Sequence, residues 1–145
     1  MPFYGVYYGQ SALPMQPDTL YYLTDKTIEA ASVWNLEKNR TEDIYQQSIL
    51  NEEGVVDKYD IFMGGAASVQ IITSPKAQTG RKLIIFRDSF TSSLAPLLSE
   101  VYHEIILIDT RYIASSLLGE YVDFSNADVL FLYNTILLNH ASMLK

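Results

Sequence analysis

Three short apolar runs, separated by two stretches of helical periodicity, do most to limit what this chain can fold into. The runs are Lys82-Leu83-Ile84-Ile85-Phe86-Arg87, Glu104-Ile105-Ile106-Leu107-Ile108-Asp109 and Val129-Leu130-Phe131-Leu132-Tyr133. None alternates with polar residues, which is the pattern of a strand covered on both faces. Between the first two, Ser92 to Tyr102 sets Leu94, Leu97, Leu98 and Val101 on one helical face. Between the second two, Ile113, Leu117, Leu118 and Tyr121 do the same. Strand, helix, strand, helix, strand predicts a parallel sheet built from right-handed crossovers. A further strand is expected at Val69-Gln70-Ile71-Ile72, ended by Ser74-Pro75, with a turn over Ala77 to Gly80.

The first sixty residues are richer in tyrosine and charge and predict a β-rich amino-terminal portion. Tyr4, Val6 and Tyr8 alternate like a strand, and Gln10 to Asp18, with Pro14 and Pro17, reads as a loop. Thr19 to Thr24 is β-favouring between Asp18 and Asp25, and Thr27 to Leu36 reads as a poorly alternating strand. Thr41 to Leu50 reads as a short helix capped by Thr41 and ended by Asn51-Glu52-Glu53-Gly54.

A chain of 145 residues holds one core, so residues 1–145 are expected to form a single domain. Apolar residues at 48% exclude a disordered tail. The net charge of −7, with no basic stripe, argues against nucleic acid as a partner. The absence of cysteine removes thiolate chemistry and Cys-ligated metals, and no metal or cofactor is expected. No apolar run is long enough to span a bilayer. Met1-Pro2-Phe3-Tyr4 does not open a secretory signal, and a chain beginning in mid-strand is expected to be the carboxy-terminal part of something longer.

In an open parallel sheet, ligands bind beyond the carboxyl ends of the strands. Those ends are Arg87-Asp88-Ser89-Phe90, Asp109-Thr110-Arg111-Tyr112 and Asn134-Thr135. Ser89, at a strand-to-helix turn, is where a nucleophilic hydroxyl would face the crevice, given a base within reach. Asp88, Ser89, Thr91, Ser92 and Ser93 are also good cap residues, and the pattern alone favours capping. Asp109 and Arg111 could bind an anion or pair with each other, and the pairing reading is the stronger. Gly64-Gly65 could present amides to an oxyanion or simply supply a turn with positive φ; the turn is the stronger reading. His103 falls at the wrong end of the sheet. His140, in Leu137-Leu138-Asn139-His140, is a weak candidate base with no neighbouring acid to orient it.

Taken in order, several motifs resemble the carboxy-terminal half of the DHHW protein family. They are Phe3-Tyr4-Gly5, Pro17-Asp18-Thr19, the run from Asp57 to Gly65, the run from Lys82 to Phe90, and the run from His103 to Tyr112. That family belongs with SGNH-hydrolase-like proteins, near the alginate O-acetylation proteins. The resemblance implies a three-layer, mostly parallel SGNH-like α/β sheet, of which this chain is a part. It implies that Ser89 matches the serine of the family's Asp-Ser-aromatic motif. In relatives acting on O-acetyl groups, an Asp and a His from an upstream Asp-His-His-Trp block complete the triad. This chain has no such block; its one tryptophan, Trp34, follows Val33. Ala66 stands where the family usually has an asparagine that looks like an oxyanion donor, the loss of which elsewhere costs about 3 kcal/mol of transition-state stabilisation.

The expectation that follows is the carboxy-terminal part of an SGNH-like esterase or O-acetyltransferase acting on cell-envelope glycan, inactive as this isolated chain. The alternatives are a non-catalytic module that binds glycan or protein, and a truncated inactive product. The resemblance implies an extracytoplasmic setting and an acetylated glycan as partner. A sheet edge left bare by a missing half predicts a homodimer.

Overall fold

The structure is a computed structural model and describes residues 2–5, 15–51 and 57–144. The expectations resting on Val6, Tyr8, residues 10–14 and residues 52–54 lie outside the described residues. Two short strands, β1 (Pro2–Phe3) and β2 (Asp18–Thr19), form a small antiparallel ladder. The strand expected over Thr19 to Thr24 is confined to its first residue; Leu20 and Tyr22 pack on the core from irregular chain instead.

The main sheet has six strands. They are β3 (Ser32–Asn35), β4 (Arg40–Asp43), β5 (Val69–Thr73), β6 (Lys82–Arg87), β7 (Glu104–Ile108) and β8 (Ala127–Leu132). Their order is β4-β3-β5-β7-β6-β8. The parallel crossovers read from the apolar runs are present: β6 lies between β7 and β8, parallel to both. The sheet is nevertheless mixed rather than mostly parallel. The pairs β4–β3, β3–β5 and β5–β7 are antiparallel. The helix expected over Thr41 to Leu50 is replaced by β4 and a four-residue helix at Ser48–Asn51. Thr41 and Glu42 are exposed or half-buried rungs opposite Trp34 and Val33, so strand pairing overrode a good cap signature.

Alternation within β6 and β7 divides the core between the two faces of the sheet. Leu83, Ile85, Ile105 and Leu107 join Val33, Ile61, Phe62 and Met63 on one side. Ile84, Ile106 and Ile108 join Val69, Ile113, Leu118 and Val122 on the other. The crossover helices are shorter than the periodicity suggests. The first is a 3-10 turn at Ser89–Ser93 followed by a helix at Ala95–Leu98; the second is a 3-10 turn at Ser115–Leu117 followed by Leu118–Tyr121.

The two edges of the sheet differ. β4 carries Arg40, Thr41, Glu42 and Asp43, and Glu42 is held by both Arg40 and Lys38. That is a charged, protected edge. β8 was expected to be buried and is the opposite edge. Among the described residues it pairs with β6 alone. Val129 is 48% exposed and Phe131 67%. The Phe131 ring stacks on Phe86 at 4.6 Å, and Phe86 in turn stacks on Phe124 at 6.3 Å. An apolar strand of interior character thus stands at a free edge.

Candidate active-site cleft

The carboxyl ends of β6 and β7 open onto a cleft of about 530 Å³. Ser89, Phe90 and Ser92 contribute one wall, Arg111 and Tyr112 a second, and Asp57, Tyr59, Asp60, Phe62, Gly65 and Ala66 a third, with Phe3 of β1 at the rim. Ser89 is exposed and opens the 3-10 turn that follows β6, with Asp88 between them. Among the described residues its hydroxyl and its N–H make no hydrogen bond.

The expected capping belongs to the neighbouring carboxylate. Asp88 is buried and caps the 3-10 turn, its Oδ1 accepting from the N–H of Phe90 at 3.0 Å. Its Oδ2 accepts from both the N–H and the Nδ2 of Asn134, at 2.6 and 2.7 Å. Asn134 Oδ1 accepts from Leu137 and starts the helix Thr135–Asn139. One carboxylate therefore ties the ends of β6 and β8 together. Asp109 is buried and takes Arg111 in a two-pronged pair, Nε to Oδ1 at 2.8 Å and Nη2 to Oδ2 at 2.5 Å. That hydrogen bond raises the Arg111 guanidinium above its ordinary value. Arg111 still lines the cleft beside the Tyr112 ring, 5.3 Å from its centroid.

Met63, Gly64 and Gly65 all have positive φ, at 58°, 72° and 93°. A Cβ on Gly64 would meet Lys38 Nζ at 2.8 Å, and one on Gly65 would meet the Asp60 carboxylate at 2.7 Å. The demand for glycine is stronger at Gly65, where a short carboxylate stands in the way, than at Gly64, where the obstructing atom ends a flexible lysine. The Gly65 N–H donates to Phe62 O at 3.3 Å, and Gly64 does not line the cleft. Like the Ser89 N–H, the Ala66 N–H at the cleft wall makes no hydrogen bond among the described residues.

Neither histidine lines the cleft. His103 Nδ1 lies 2.9 Å from Ser74 O, and His140 Nδ1 lies 3.0 Å from Ile136 O on an exposed turn. Among the described residues, no group of three or more His, Asp or Glu is placed to hold a metal ion. Among the described residues, no helix is long and apolar enough to cross a membrane.

Asp60, which no sequence pattern marks, also lines the cleft. Burial, reinforced by Asp57, pushes its carboxyl above the ordinary value, and Lys38 offsets this in part. A carboxyl with a raised folded pKa binds its proton more tightly in the folded state. Stability is then lost as pH rises through the interval between the unfolded and folded values. Asp60→Asn should therefore melt higher than the parent at neutral pH. The gain should fade in acid, where the carboxyl is protonated in both states. Melting curves across this range check it; a gain independent of pH would refute the charge as the cause.

No family model and no curated protein sequence matches the chain. Solved structures do. The structure is similar to Bacillus cereus PatB1 with a sulfonyl adduct, with a TM-score of 0.64 and 18% identity, over 95% of this chain and 46% of that one. It is similar to a DHHW family protein from Eubacterium siraeum DSM 15702, with a TM-score of 0.57 and 26% identity, over 84% of this chain and 40% of that one. The chain thus spans less than half the length of these neighbours. The likeness to a DHHW family protein agrees with the resemblance read from the motifs.

Proposed function

We propose that this chain is the serine-bearing part of an SGNH-like esterase or O-acetyltransferase acting on cell-envelope glycan, with Ser89 as nucleophile. The observation that carries the reading is Ser89 itself: an exposed hydroxyl on a cleft wall, with no hydrogen-bond acceptor among the described residues and no imidazole lining the same cleft. A serine hydroxyl without a base is a weak nucleophile, so the chain alone is silent. Loss of a triad's base typically removes around 10⁶ in rate. Residues 1–145 form one domain in this reading, the serine-bearing portion of a three-layer sheet, and two copies associate through β8. Ser89 and Ala66 offer main-chain N–H groups to a developing oxyanion. Asp88, Asn134, Asp109 and Arg111 hold the strand ends in place, and His140 takes no part. PatB1 carrying a sulfonyl adduct supports the choice of reagent for a test.

The test is sulfonylation by phenylmethanesulfonyl fluoride, followed by intact mass. The Ser89 Oγ–S bond forms as S–F breaks, fluoride leaves, and the hydroxyl proton passes to the base. Labelling should be slow in buffer, accelerate in proportion to added free imidazole, and vanish in Ser89→Ala. Rapid labelling without imidazole would mean that the chain holds its own base. No labelling at any imidazole concentration would favour the second reading, a module that binds acetylated glycan without chemistry. That reading draws on the rings of Phe90 and Tyr112, which are 67% and 56% exposed at the cleft.

A further inference from the structure

Beneath the cleft lies a buried arginine that, among the described residues, has no carboxylate in hydrogen-bond contact. Arg87, at the end of β6, is fully buried. Its Nη2 donates to Gln70 Oε1 at 2.7 Å and its Nη1 to Ser92 Oγ at 3.2 Å; its Nε finds no partner among the described residues. Burial lowers its pKa, and Arg111 adds to this, while Asp109 and Asp88 attract the charge from a distance. The side chain has a use that an apolar one could not fill. Arginine has donors only, so it forces the Gln70 amide to turn its oxygen toward β6 and its NH₂ the other way. That NH₂ donates to Met63 O at 2.9 Å and reaches Gly65 O at 3.5 Å.

We infer that Gln70 and Arg87 are positioning residues for the oxyanion site: they pin the Met63 and Gly65 carbonyls inward, leaving the Ala66 N–H to the cleft wall that faces Ser89's reaction. The turn needs such a hold. Three consecutive residues have positive φ, and Met63 is not a glycine, so the conformation is one the chain would leave if released. Ser92, which lines the cleft, takes the other arm of the same guanidinium, so one buried cation fixes two walls.

The inference rests on Ser89 being the nucleophile, and the test separates the two claims. Gln70→Glu keeps an acceptor for Arg87 and removes the donor to the turn. We expect it to stay folded by circular dichroism and thermal melting. The ¹H–¹⁵N resonances of Gly64, Gly65 and Ala66 should move, and imidazole-assisted sulfonylation of Ser89 should fall by about 100-fold, the scale of losing one oxyanion donor. Gln70→Met, which lacks both donor and acceptor, gives the same readouts if the glutamate fails to fold. Unchanged amide resonances and an unchanged labelling rate in a folded variant would overturn the positioning role. If the parent is never sulfonylated, the nucleophile reading fails by itself, and the amide resonances still decide whether Gln70 holds the turn.

Discussion

Asp88→Ala should lower the free energy of unfolding by about 3 kcal/mol. The carboxylate accepts three hydrogen bonds, two from Asn134 and one from Phe90. Hydrogen bonds to charged groups contribute roughly 1.5–3 kcal/mol each, and a buried donor stripped of its acceptor costs about 1–3 kcal/mol. The sum stays below three full bonds because the exposed turn at Phe90 regains water. For a chain of this size the melting temperature should drop by about 10 °C. The damage should extend to the helix Thr135–Asn139, whose cap residue is held by the same carboxylate. Urea titration and thermal melting measure the loss; one under about 1 kcal/mol would show that Asp88 is not the tie between β6 and β8.

Phe131→Lys should weaken self-association at least tenfold. Two copies joined through β8 would satisfy an unpaired ladder and cover Val129, Leu130 and Phe131, all exposed in one copy. A lysine on an edge strand opposes strand addition, because its charge would have to be desolvated against the incoming chain. Sedimentation velocity over a concentration series reads the effect. A parent chain that stays monomeric at high concentration would remove the basis for the homodimer.

Much of the fold was legible because burial on both faces leaves a plain signature. The runs at Leu83 to Phe86 and Ile105 to Ile108 have no polar residue to alternate with, and both became interior strands. The same signature misled at Val129 to Leu132, since periodicity records what a strand is suited to lie against, not whether that neighbour is present. Strand direction was not legible at β5. Val69-Gln70-Ile71-Ile72 is apolar enough for either direction, and its antiparallel pairing with β7 depends on a partner thirty-odd residues away. Thr41 looked like a helix cap because caps are local signals, whereas β4 exists only through its pairing with β3. At the cleft, Ser89 and the glycine pair were visible as types at a strand end and a turn. Gln70 was not, because a glutamine inside an apolar run carries no mark of what lies beneath it. Asp60 was hidden for a related reason: its importance comes from Gly65 packing against its carboxylate.

The charged rungs of β4 set a limit on what β8 can do. Growth into a filament needs an adhesive surface at each end of the repeating unit, and here Arg40, Glu42 and Lys38 close one of them. Copies meeting bare edge to bare edge would leave only the charged margins outward. Assembly by this route ends at two, so the chain should precipitate far less readily than the hydrophobicity of its last strand would suggest.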